Sequence, residues 1–193
     1  MALQSEAVGI GGKPEENERE REGVKGMGKL PAVSFFVNGR QYQFSVGTLF
    51  GQIPPNELLV DTLRNRLGLF GTKIACKDGA CGCCNVIMDG DAVPSCEVLT
   101  LDCEGKHITT IEGLAGEGGA LHPVQQAFID HAAYQCGFCT PGIIMTCVAL
   151  LDKNPHPSRA ELQEALAGNF CRCISHYHVI EAIEDLVGSE VEQ

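Results

Sequence analysis

The sequence has no tryptophan, and aromatic residues make up only 6% of its 193 residues. No apolar run approaches the roughly 18 residues that a membrane-spanning helix needs, so no span is expected. The N-terminus has no apolar core of a secretory signal. Arg19 and Arg21 are separated by Glu20, so a twin-arginine signal is absent too. Positive charge is scarce: Lys and Arg number 14 against 25 Asp and Glu, a formal net charge of −11. A nucleic-acid binder carries a basic face, and none is visible here. Gly-x-Gly-x-x-Gly and phosphate-binding loops are also missing, so no nucleotide or flavin site is expected on this chain.

Hydrophobic residues, by contrast, make up 44% of the chain, enough for a packed core. Eleven cysteines and 23 glycines are present. With no export signal, the expected compartment is the cytoplasm, where thiols stay reduced. The odd cysteine count also leaves one thiol over in any all-disulfide scheme. Metal ligation is the leading explanation.

The chain divides into three stretches. Residues 1–30 hold glycines and the charged run Glu15–Glu22 without apolar periodicity, which predicts a disordered extension. Residues 31–108 read as a small β-rich domain. Val33, Phe35 and Val37 alternate up to Asn38-Gly39, and Tyr42, Phe44 and Val46 alternate after it, the pattern of a hairpin with a type I′ turn. Leu58, Leu59, Leu63 and Leu67 predict a helix near 56–67 stopped by Gly68. Val86 to Met88 leads into Asp89-Gly90, a second hairpin signal, and His107–Ile111 reads as a strand. A glycine-rich stretch from Glu112 to Ala120 separates this part from residues 120–188, which read as helical. Helices are expected at Pro123–Ala133, Pro141–Leu151, after the capping box Ser158-x-x-Glu161, and at His176–Val187. No internal repeat relates the two halves.

Cys76, Cys81 and Cys84, with Cys96 downstream, have the spacing of plant-type [2Fe–2S] ligands. Two irons bridged by sulfide need four thiolates around a compact anionic core. A short loop can supply three and a distant residue the fourth. Gly79 and Gly82 would let the backbone turn N–H groups toward sulfur. Structural zinc sites usually show paired short spacings such as C-x2-C, and the four-residue gap and the glycines argue against zinc here. Cys83 lies in the same loop, but the spacing selects Cys84 as the ligand. The second set is Cys136-x-x-Cys139 and Cys171-x-Cys173. Its spacing alone leaves zinc and iron–sulfur both open. Cys139 precedes Pro141, so a helix N-terminus could favour an anionic group there. Cys83, Cys103 and Cys147 remain as packing thiols. The six histidines show no protease or triad context. His176 and His178 could ligate metal, although capping or surface roles suit them better.

Two phrases go further: Gln135-Cys136-Gly137-Phe138-Cys139-Thr140-Pro141-Gly142 and Gly168-Asn169-Phe170-Cys171-Arg172-Cys173. With the first loop, they resemble the iron–sulfur small subunit of the xanthine oxidase family of molybdenum hydroxylases, over roughly residues 32–187. The resemblance implies an α+β chain: an N-terminal β-grasp, plant-type ferredoxin domain and a C-terminal four-helix-bundle [2Fe–2S] domain. It implies two [2Fe–2S] clusters. Cys76, Cys81, Cys84 and Cys96 would hold the one farther from molybdenum, and Cys136, Cys139, Cys171 and Cys173 the nearer one. Gln135 would contact molybdopterin bound in a large partner subunit, and a medium subunit would carry FAD. The chain would then relay electrons from oxidation or hydroxylation of a small organic substrate with water, with no substrate site and no catalytic residue of its own. Ile174-Ser175-His176-Tyr177 is one residue longer than the family's usual Thr-Gly-Tyr, and Cys83 stands where a small residue is usual. The longer phrase bears on the subfamily, and so on the substrate and acceptor. A stand-alone ferredoxin-like carrier and a zinc-stabilised binding module are the competing readings.

Overall fold

The computed structural model describes residues 31–191; the expected disordered extension at 1–30 lies outside them. The hairpin forms as the alternation predicts. Strands β1 (Ala32–Val37) and β2 (Arg40–Ser45) pair antiparallel, with Val37 opposite Arg40. Asn38 and Gly39 both adopt positive φ (50° and 76°), as a type I′ turn requires. Strands β3 (Asn85–Met88) and β4 (Asp91–Pro94) form the second hairpin around Asp89 and Gly90, again both at positive φ. β5 (His107–Thr109) completes a mixed five-stranded sheet in the order β2-β1-β5-β3-β4, with β1 and β5 parallel. β5 ends before Ile111. The Asn38 side chain accepts from the Thr110 N–H and donates to its Oγ1, both at 2.9 Å, and the chain turns into a 3-10 segment, Ile111–Leu114.

The helix expected near 56–67 is shorter. α1 (Leu59–Asp61) runs into a π-helical turn, Thr62–Arg66, and Gly68 follows at φ +71. Leu58 remains extended because it bridges Leu99. Glu57 braces the turn: Arg66 donates to both of its carboxylate oxygens at 2.6 Å, and Thr62 Oγ1 donates to Oε1 at 2.6 Å.

The second half contains α2 (Pro123–Asp130), α3 (Thr140–Lys153), α4 (Arg159–Ala165) and α5 (His176–Val191). Ser158 and Glu161 form the expected capping box of α4. His122 and Gln125 form another at α2, with Pro123 at its first turn. α3 is the buried helix, with an unbroken run of buried residues from Gly142 to Ala149.

One apolar core lies between the sheet and α1 (Phe35, Ile53, Leu59, Leu63, Ile108). The other fills the helical half (Phe128, Ile143, Met145, Leu162, Ile183). Two residues from the first half, Cys83 and Ile87, belong to this second core. The cysteine loop is thereby packed against α3.

Candidate iron–sulfur sites

The first cysteine loop, between α1 and β3, is shaped by backbone conformations that favour glycine. Lys77, Gly79 and Gly82 all have positive φ. At Gly79 this turn aims the N–H at Cys96 Sγ, 3.3 Å away. Cys84 and Cys96 share a small buried cluster with Val60. Burial, with Cys84 and Cys76 nearby, pushes the Cys96 thiol up to about 12. Cys83 packs instead into the core of the helical half, although it also lies beside Cys81. Burial, with the neighbouring sulfurs adding to it, pushes the Cys83 thiol up to about 12.

In the second set, Cys173 donates to Cys136 at 3.5 Å, and Cys139 lies beside Cys171. Cys139 is the N-cap of α3, so the helix begins at the thiol, as Pro141 suggested. The Ile174 N–H donates to Cys171 Sγ at 3.3 Å. Thr140 Oγ1, beside Cys139, is buried without a hydrogen-bond partner among the described residues, and it is a donor of the kind an anionic group needs. Cys136 and Cys173 are exposed, and so is Gln135.

All eleven cysteines are free thiols. Four thiols in each set, with backbone N–H groups aimed at sulfur, suit a two-iron group in which each iron takes two thiolates. Both quartets fit that donor set.

The remaining candidates have other roles. Cys147 and Cys103 are buried, and burial pushes each up to about 12. His122 caps α2 through Nδ1, His131 lies 3.4 Å from Asp185, and His107 stacks on Phe36. His178 lies 3.7 Å from Glu181 on its own helix.

Sequence reasoning missed the seam between the two quartets. The Phe170 N–H donates to the Cys81 carbonyl at 2.9 Å. Asn169 Nδ2 reaches the Gly82 carbonyl at 3.4 Å. Asn85, next to Cys84, donates to Thr146 Oγ1 on α3 at 3.0 Å. The one available sequence signal was Gly142, a glycine inside an apolar helix, which usually marks a close packing approach.

Known proteins match both halves. The family model for a 2Fe-2S iron–sulfur cluster binding domain covers residues 37–112, and that for a [2Fe-2S] binding domain covers residues 110–184. The nicotine 6-hydroxylase small subunit of Paenarthrobacter nicotinovorans is 44% identical, over 79% of this chain and 87% of its own length. The nicotinate dehydrogenase small FeS subunit of Eubacterium barkeri is 44% identical, over 67% of this chain and 82% of its own. Among solved structures, a chain of quinoline 2-oxidoreductase from Pseudomonas putida 86 superposes with a TM-score of 0.75 at 40% identity, covering 86% of this chain and 98% of that one.

Proposed function

Because this chain belongs to the iron–sulfur small subunits of the xanthine oxidase family of molybdenum hydroxylases, we propose that eight of its cysteines hold two [2Fe–2S] clusters and relay electrons between partner subunits. It is an electron-transfer subunit of an oxidoreductase. Cys76, Cys81, Cys84 and Cys96 hold one cluster, within a ferredoxin-like half spanning 31–108. Cys136, Cys139, Cys171 and Cys173 hold the other, in a helical half spanning 120–188. The clusters supply one-electron redox chemistry. The chain supplies thiolates, N–H groups aimed at sulfur, and a fixed spacing.

The observation that carries this reading is a backbone N–H aimed at a ligand sulfur in each set, Gly79 at Cys96 and Ile174 at Cys171, both at 3.3 Å. Gln135 is exposed beside Cys136, on a face with Tyr134 and Phe138 also exposed. That face meets a large molybdopterin-binding subunit, and the Gln135 amide contacts the molybdopterin. Substrate is oxidised in that partner, and a flavin subunit is the next acceptor. The complex is cytoplasmic, where eleven free thiols remain reduced. No helix among the described residues is long and apolar enough to cross a membrane.

The test is an anaerobic preparation from native cells. About four irons and four acid-labile sulfides per chain are expected, with visible absorption that dithionite bleaches. The chain should elute with a molybdenum-containing partner. A pale, sulfide-free protein containing zinc overturns the cluster assignment, and elution alone overturns the placement in a larger complex.

A further inference from the structure

Gly142 has no backbone reason to be glycine. It lies in the first turn of α3 in ordinary helical conformation, without the positive φ of the loop glycines. Glycine is a poor helix former. Its neighbours supply the reason. A Cβ at this position would overlap the Gly82 carbonyl oxygen and lie 2.9 Å from both Cα and the carbonyl carbon of Cys83. These are main-chain atoms of the first cysteine loop, which cannot rotate away as a side-chain tip could.

The contact joins the loop of the first quartet to the helix that follows Cys139. Gly82 and Cys83 lie between Cys81 and Cys84, and Gly142 follows Cys139 by one turn of helix. A bridge holds the approach closed: Asn85 Nδ2 donates to Thr146 Oγ1, which donates to the Gly142 carbonyl, both at 3.0 Å. On the far side of the loop, a Cβ on Gly82 would lie 2.6 Å from Asn169 Nδ2 and 2.7 Å from the Gly168 carbonyl oxygen. The ligand loop is therefore packed on both sides without room for a methyl group.

We propose that Gly142 is a positioning residue that sets the separation of the two clusters, by letting α3 seat directly on the backbone of the first cysteine loop, with the Asn85–Thr146 bridge keeping it seated. The proposal rests on the two-cluster reading above. Gly142→Ala wedges the loop away from the helix that carries Cys139, while leaving every thiol in the sequence.

The test uses the full chain in its complex. Each one-electron-reduced [2Fe–2S] centre carries an unpaired spin, and two such spins split each other's EPR lines steeply with their separation. Gly142→Ala is expected to keep full iron and sulfide while the splitting narrows. Thr146→Val adds no bulk and breaks only the bridge, so it reports even where the alanine variant fails to accumulate. It is expected to narrow the splitting by a smaller amount. Gly188→Ala makes the same change in α5, where open space surrounds the position, and should leave the splitting unchanged. Full iron with unchanged splitting in Thr146→Val, or in a folded Gly142→Ala, overturns the proposal, even if thermal stability falls. Absence of iron and sulfide from the unmutated chain is a different result, and overturns the two-cluster reading instead.

Discussion

The main-chain N–H of Phe170 donates to the carbonyl oxygen of Cys81 at 2.9 Å, so residues 89 positions apart in the chain tie the two cysteine sets together. Phe170 precedes Cys171, and the residue is 65% exposed. An exposed loop residue whose amide is held by a distant carbonyl makes a distinctive prediction. Hydrogen exchange across Phe170 should be slow, on the time scale of opening the seam rather than of a free loop. Exchange at the unprotected rate would show that the tie is not formed in solution.

Cys83 and Cys84 are adjacent but belong to different packing environments, one in the helical core and one beside Cys96. Cys84→Ser is expected to remove one cluster, halving the iron content. Cys83→Ser should keep the iron and lose about 1–3 kcal/mol of stability, because it buries a hydroxyl among apolar neighbours. Equal iron loss in both variants would mean that the wrong thiol has been assigned. Cys136→Ser should lower turnover of the complex more than Cys83→Ser does.

Glu57 gives a pH signature away from any cysteine. Burial alone would raise its carboxyl, but hydrogen bonds from Arg66 and Thr62 and the Arg66 charge outweigh burial and hold it below the usual carboxylate value of 4.5. A depressed folded-state value adds stability above the unfolded-state value, and that stability is lost as pH falls through the folded one. Glu57→Gln should therefore cost about 1–3 kcal/mol near neutral pH. The difference from the unmutated chain should shrink as pH drops below about 4.5. Urea melts at several pH values check this; a pH-independent difference would contradict it.

Gln135 is exposed beside Cys136 and carries no hydrogen bond that the fold needs among those described. Gln135→Ala should leave iron, sulfide and melting temperature of the chain unchanged while lowering turnover of the assembled complex. Iron loss in this variant would place the side chain in the cluster site rather than at the partner.

Much of this protein was legible from residue order because its signals are local. Asn38-Gly39 and Asp89-Gly90 dictate their turns through φ alone, and Ser158 and Glu161 cap α4 across a single turn. The two cysteine sets are legible for a related reason, since spacing within a short loop limits which thiols can share a metal group. Where local preference met a long-range partner, the partner won. Leu58 fits a helix by periodicity yet is extended, because it bridges Leu99. β5 ends at Thr109 because Asn38 captures Thr110.

Local pattern thus determined most of the elements and the ligand candidates, and two phrases around the second cysteine set carried the resemblance to the family. Only the tertiary structure decided that Gly142 meets Gly82 and that Asn85 reaches Thr146. The physical reason is separation along the chain: these contacts join residues roughly sixty positions apart, and whether two such backbones touch depends on how the sheet and α3 pack, which no local preference encodes.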